Sequence, residues 1–432
     1  MANIKITELP SATSITNDDL LVTVDNSSPP VTKKITFENI KNGLPQSSRV
    51  IYASKHGCAL NSNINTGGGT DDTAALQAIL DLAQDGKPLE VIIDGVARVS
   101  TLRVWRNTTI RCLSGAGVFQ TGGSNWHLLT TGYVLPTEPS HDNISIIGGT
   151  WNCNAAHQSK WELNQPNPYN GSSTTINNGR IWNLGFWIGW GKNFIMRDVI
   201  IKNSKTYSLA LMELENTVIE NLQSIWDDGD ENLVYGTNKD GIHLYGTIKN
   251  MLIKNYSCIN GDDDSIAFNT DENMDLGIGV GLGNLIDPRW TGMGGDIYNV
   301  TVDGCYLNST NGIRVIGYAN KRGLNGNGIN PKIDHIFLKN IYGRITNLPM
   351  QWFGSFDAGL FSIDGWHVTG QNEIYMIEPY PNEVHLNNIR QGTPITIYNY
   401  YTLTLGNGFE ENQGWSGTGL NQVGGLFSEY GP

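Results

Sequence analysis

Charge is scarce in this chain: 16% of its 432 residues are Asp, Glu, Lys or Arg, against about 25% in a typical soluble domain. The 28 basic residues form no cluster and are outnumbered by 41 acidic ones, a net of −13. A nucleic-acid partner calls for grouped Lys and Arg that displace phosphate counterions, so none is expected. An anionic membrane surface is disfavoured for the same reason. No apolar run approaches the ~18 residues that a membrane span requires. The five cysteines, Cys58, Cys112, Cys153, Cys258 and Cys305, are scattered without close pairs, which fits neither a disulfide framework nor a zinc site. Helical periodicity is nearly missing as well. What the chain has in excess is Gly (51) and Asn (48), with 12 Trp, 17 Tyr and 11 Phe to build a core. The expectation is a large β-rich protein.

A loose phrase recurs along most of the length: Asn or a turn residue, two or three alternating apolar positions, then Asn or Gly. It begins at Asn107, Asn143, Asn193, Asn216, Asn250, Asn299, His335 and Glu383. A second short strand follows, as in "YSLALM", "DGIHLY", "DSIAFN" and "NGIRVIG". A β-sandwich would show hairpin signals such as Asn-Gly between the halves throughout, and most of the repeats lack one. Recurrence without hairpins predicts a β-solenoid: inward aliphatics stack into one core, inward Asn amides ladder at turns, and outward positions are free for function. Ahead of the repeat, Leu76, Ile79, Leu80 and Ala83 form the stripe of one amphipathic helix. Thr70 or Asp71 can cap it and Gly86 can end it. A lone helix there suits a lid over the open end of the solenoid.

Overlaying the second strands aligns Asp240-Gly241-Ile242-His243 with Asp264-Ser265-Ile266-Ala267 and with Asn311-Gly312-Ile313-Arg314. Ile242, Ile266 and Ile313 then face inward, and His243, Ala267 and Arg314 face out. Asp240 and Asp264 fall at equivalent points of successive coils, about 4.8 Å apart. Asp263, at the turn, is expected to point another way. Crowded carboxylates raise at least one pKa. A protonated acid beside an ionised one is the pairing that glycoside cleavage uses, with inversion when the two lie roughly 6.5–9.5 Å apart. A solvated acidic turn is the alternative. Asp262, Asp271, Glu272 and Asp275 could join the three acids in a Ca²⁺ site. The run Trp226 to Glu231 could wall a groove or be a solvated loop. Trp182, Trp187, Trp190, Trp226, Tyr245 and Trp290 could stack on sugar rings or pack under loops.

"NKDG" (Asn238 to Gly241), "GDDDSIAFN" (Gly261 to Asn269) and "NGIRVIG" (Asn311 to Gly317) resemble the motifs of polygalacturonase-like glycoside hydrolases. Those are right-handed parallel β-helices of the pectin-lyase type. The likeness covers about residues 50–390 in architecture and about 190–320 in motifs. It implies that Asp263 is the general acid, that Asp240 and Asp264 hold the nucleophilic water, and that Arg314 binds substrate. Two positions depart from the family. Ile278 stands where the family's Gly-His-Gly has histidine. Arg314-Val315-Ile316 replaces Arg-Ile-Lys, so the cation that grips a uronate is missing, which argues against galacturonan. His243 could substitute in the site or be an ordinary surface histidine. With Tyr245, Asn269 and Trp226 it completes the candidate substrate-binding set.

The segment "ITELPSATSITNDDLLVTVDNSSPPVTKKITFENI" is similar to the N-terminal pieces that attach phage tail proteins to the virion. Joined to the β-helix, it looks like a phage tailspike depolymerase. The resemblance implies a homotrimer acting on a bacterial surface polysaccharide and bound to a tail or baseplate protein. It implies a virion location, synthesis in the host cytoplasm without a signal peptide, and no obligatory cofactor. Expected boundaries are 1–46 for attachment and trimerisation, 47–394 for the catalytic β-helix, and 395–432 for a cap or interchain β segment exposing Tyr398, Tyr400 and Tyr401. A calcium-assisted lyase and a non-cleaving receptor-binding spike remain as alternatives.

Overall fold

The computed structural model describes residues 20–25, 31–36, 49–131, 140–158, 165–166, 175–176, 185–227, 239–270, 295–317, 331–354, 356–369, 374–376, 382–389, 395–397, 402–405 and 426–429. The chain divides into two compact units, Met1–Arg49 and Val50–Pro432. Within the first, Leu20–Asp25 and Val31–Thr36 pair antiparallel, with Leu20 opposite Thr36. The helical turn expected after Phe37 lies outside the described residues.

The second unit is a right-handed parallel β-helix whose coils contribute to three strips of parallel strands. One strip runs through Leu89–Ile93, Thr108–Cys112 and Ser145–Ile147, and on through the later coils. Another runs through Val96–Val99, Gly117–Gln120, Thr150–Asn152, Ile200–Lys202 and Gln223–Ile225. The third carries the chemistry. It stacks Leu102, Leu129, Phe186, Leu209, Ile242, Ile266, Ile313, Met350 and Ile374 in register. From Leu102 to Met350 these apolar side chains point to the interior, because strand side chains alternate between faces. The described members join one continuous core with Trp151, Trp352, Trp366 and Phe361. Beside the third strip, described stretches end at Thr131, Thr270 and Gly317 and begin at Gly185 and Lys239.

The corners explain the asparagine excess. Asn107, Asn143, Asn193, Asn216, Asn250 and Asn299 all adopt φ of +56 to +61°, a left-handed conformation that Asn tolerates better than other non-Gly residues. Asn107 donates to the Gly86 carbonyl at 2.7 Å, and each later amide donates to the Asn one coil earlier: Asn143 to Asn107 at 2.8 Å, Asn193 to Asn143 at 2.9 Å, Asn216 to Asn193 at 3.4 Å, Asn250 to Asn216 at 3.1 Å and Asn299 to Asn250 at 2.9 Å. The ladder lies on exposed corners rather than inside. The left-handed turn directs the amide along the coil axis, where it bonds its neighbour and keeps contact with water. Asn221, Asn255 and Asp198 form a second such row.

The helix occupies Thr73–Leu80 and ends through a 3₁₀ turn at Gly86, φ +77°. Thr73 N–H donates to the Asp71 carboxylate at 2.9 Å. Asp72 instead receives Ala59 and Leu60 N–H at 2.6 and 3.0 Å. Gln77 receives Arg103 N–H at 2.8 Å and donates to its carbonyl at 3.0 Å, so its amide serves the edge of strand Leu102–Arg103. Ser100 N–H likewise donates to the Thr73 hydroxyl. At the far end, Thr402–Leu405 and Leu426–Glu429 pair parallel. Tyr398, Tyr400 and Tyr401 lie outside the described residues.

Candidate active site

Three neighbouring coils supply the site. Asp240 precedes the strand Ile242–Lys254, Asp263 and Asp264 lie in Ser257–Asn269, and Arg314 lies in Ile297–Gly317. The register expected from sequence is observed: Ile242 opposite Ile266 opposite Ile313, and His243 opposite Ala267 opposite Arg314. Gly241 permits the close approach, because a Cβ there would run into the Ser265 carbonyl and the Tyr256 hydroxyl.

Asp240, Asp263 and Asp264 each offer a carboxylate oxygen, all within 4.8 Å of one another. Asp263 therefore joins the cluster instead of pointing away. Its Oδ1 accepts from Asn311 Nδ2 at 2.8 Å and from Arg314 Nη2 at 3.3 Å, and these donors turn it toward its neighbours. It is also the carboxylate that meets solvent, its side chain 19% exposed against 0% for Asp264 and 1% for Asp240. Arg314 Nε lies 3.0 Å from Asp264 Oδ2. The contact is ionic, since neither Asp264 oxygen accepts a well-aligned hydrogen bond among the described residues. Burial pushes the Asp264 carboxyl well above the usual carboxylate range; Arg314 pulls it down, while Asp240 and Asp263 push it further up. Burial disfavours the charge on Arg314, but Asp264, Asp263 and Asp240 outweigh that and hold the guanidinium firmly protonated.

The guanidinium bears on whether calcium fits. Ca²⁺ takes six to eight oxygens at about 2.3–2.6 Å. An ion shared by these carboxylates would lie against a fixed positive charge already paired with two of them. Asp262 is turned to the Lys239 N–H, and Asp271, Glu272 and Asp275 lie outside the described residues. The described acids fit an arginine counter-ion better than a divalent one.

The remaining candidates are not where a sugar would meet them. His243 is no surface histidine: it is 4% exposed and its Nδ1 lies 2.6 Å from Asp240 Oδ2. Tyr245 stacks against its ring at 4.2 Å and Tyr207 at 4.3 Å, the two tyrosines 6.2 Å apart. Asn269 is buried, with Nδ2 3.5 Å from His243 Nε2. Trp226 sits in the core, its indole N–H donating to the Ser204 carbonyl at 2.8 Å, so no ring face is left for stacking on sugar. Trp187 and Trp190 are buried too. Ile278, Asn238, Trp182 and Trp290 lie outside the described residues.

Sequence reasoning assigned no role to Asn311, Asn347 or Tyr207. Asn347 Nδ2 donates to Asn311 Oδ1 at 3.0 Å, which aims the Asn311 amide at Asp263. The signal was present, for Asn311 aligns with Asp264 and Tyr207 with Asp240 in the coil overlay.

In structural comparison the chain is similar to a family 28 exopolygalacturonase of Yersinia enterocolitica, at 13% identity and TM-score 0.46 over 93% of this chain and 79% of that one. It is similar to ORF18 of Geobacillus virus E2, at 13% identity and TM-score 0.45 over 93% of this chain and 67% of that one. A polygalacturonase from Erwinia carotovora ssp. carotovora gives 14% identity and TM-score 0.40 over 89% of this chain and 97% of that one. No protein-family model matches the chain, and no curated protein matches it.

Proposed function

We propose that this chain is a glycoside hydrolase that cleaves a bacterial surface polysaccharide, working as a phage tailspike. The observation that carries the chemistry is the division among three carboxylates. One meets solvent with a single oxygen tethered, and two stand buried behind it. Arg314 and Asn311 hold Oδ1 of Asp263, which leaves Oδ2 to carry a proton to the glycosidic oxygen. These oxygens, no more than 4.8 Å apart, stand closer than the roughly 6.5–9.5 Å usual for inversion, yet such acceptors can share one water at hydrogen-bond lengths of about 2.7–2.8 Å. Asp240 and Asp264 thus flank the place of the nucleophile. As the C1–O bond breaks, the leaving oxygen takes the Asp263 proton, the water oxygen bonds to C1, and the water's proton passes to Asp240.

The lyase alternative needs a basic side chain free to take a proton. Arg314 is locked in its charged form by three carboxylates, which disfavours it in that role. Residues 1–46 are proposed as the attachment and trimerisation module, 47–394 as the catalytic β-helix and 395–432 as a cap or interchain segment, with a homotrimer as the working form.

The test is mass spectrometry of oligosaccharides released from purified capsular, exopolysaccharide and O-antigen preparations. Hydrolysis adds one water per cut and takes ¹⁸O from labelled solvent; Asp263→Asn should abolish release. Unsaturated, ultraviolet-absorbing products would establish a lyase, and release undiminished by Asp263→Asn would remove this cluster from the chemistry.

A further inference from the structure

Asp240 is held by both of its oxygens. Oδ1 accepts the Asp264 backbone N–H at 3.2 Å, and Oδ2 faces His243 Nδ1 at 2.6 Å. Two donors directed at one carboxyl group suit its ionised, acceptor-only form, and a bond this short is typical of a charged partner. The histidine is itself confined. Tyr207 and Tyr245 both stack against the imidazole, with interplanar angles of 19° and 29°, and lie 6.2 Å from each other, so a swing of Nδ1 away from Asp240 meets packed tyrosine. Its far nitrogen looks toward the Asn269 amide, 3.5 Å off. An N–H offered there leaves Nε2 as the acceptor and puts the ring proton on Nδ1, directed at Asp240.

We propose that His243 is the positioning residue of Asp240, donating its Nδ1 proton to Oδ2 and so fixing the rotation and charge of the carboxylate that receives the water's proton. This rests on the hydrolase proposed above. His243 does not bind sugar: its ring is buried against two tyrosines, one nitrogen is engaged by Asp240, and the other faces Asn269. Asn269 selects the tautomer, and Tyr207 and Tyr245 hold the ring by packing. The arrangement also bears on the departure at Ile278. Whatever a histidine does at that point in related enzymes, this chain places an imidazole on Asp240 from within the same coil.

The experiment compares His243→Ala and His243→Asn with wild type, using Asp263→Asn as reference. The substrate is whichever purified polysaccharide the wild-type chain degrades, and the readout is reducing-end release. Loss of positioning should lower kcat by about 100-fold, the cost of an ångström-scale misplacement, with KM within about threefold because no sugar contact is lost. Asparagine can place an amide N–H near the Nδ1 site, so His243→Asn should recover most of kcat. A merely structural histidine would show parallel losses of folding and activity in both variants, without rescue.

A second readout needs no substrate. The Nδ1 proton of His243 should give a downfield NMR signal that survives in Asp263→Asn and vanishes in Asp240→Ala. Inactive Asp263→Asn beside fully active His243→Ala overturns the His243 assignment and leaves the hydrolase standing. Fully active Asp263→Asn overturns the hydrolase and this role with it. A KM rise with kcat unchanged would make His243 a substrate ligand instead.

Discussion

Arg314 Nε stands 3.0 Å from Asp264 Oδ2, a cation and an acid on neighbouring strands, joined without a well-aligned hydrogen bond. The pair is strained between attraction and dehydration. Substitutions on either side should therefore have opposite pH signatures.

Asp264→Asn removes the dehydrated acid. Since its folded pKa is raised, the native protein binds that proton more tightly than the unfolded chain does. The associated stability is complete below the ordinary carboxyl value of about 4, and it declines as pH climbs through the raised value. The Asn variant escapes that decline, so its thermal midpoint should gain on wild type as pH rises above the ordinary carboxyl value of about 4. A difference that does not change with pH would mean Asp264 is not a proton-holding carboxyl.

Arg314→Met takes away the only cation within 4 Å of Asp263 and Asp264 among the described residues. Stranding buried charge costs about 3–5 kcal/mol. Partial exposure of the guanidinium lowers the expected loss to about 2–4 kcal/mol near neutrality. It should shrink under acidic conditions, where the carboxylates gain protons, and also when Asp264→Asn is added. Urea denaturation at two pH values, on the single and double variants, measures all three.

Along the corner ladder, Asn250 combines a left-handed φ of +57° with bonds to both Asn216 and Asn299. Asn250→Ala should cost about 2 kcal/mol, from backbone strain together with lost amide bonds. Asn250→Gly relieves the strain and should cost roughly half as much. Equal losses in chemical denaturation would assign the whole effect to the amides.

All five cysteines are buried as free thiols. Burial raises Cys112 and Cys305 to about 12 and, with smaller contributions from neighbours, Cys58 and Cys258 to about 11. Iodoacetamide should therefore label none of these four in the native protein at neutral pH, and all of them in denaturant, as counted by intact mass.

The coil was legible because its signal is repeated. One Asn-strand-turn phrase says little, but a succession of such phrases forces Ile242, Ile266 and Ile313 into one column and brings Asp240 beside Asp264. The side-chain directions around the site were less legible. Asp263 was expected to diverge because strand alternation was applied through an irregular turn, where the pairing slips between Gly261 and Asp264. The sequence leaves His243 open between a site residue and an ordinary surface histidine; it faces outward as alternation requires, yet it is buried. Alternation tells which side of a sheet a residue occupies, not what covers that side. Trp226 is ambiguous in sequence, because an indole beside acidic residues looks the same whether it stacks on sugar or fills the core.

The carboxylates and the arginine arrive from successive layers of one stack, so their separations are set by the spacing between layers rather than by any connecting segment. Chain outside those layers can therefore be lengthened, shortened or exchanged without moving a reacting atom. Such a scaffold lets the surroundings of a site diversify at the pace of surface sequence while its chemistry stays indexed to a fixed pitch.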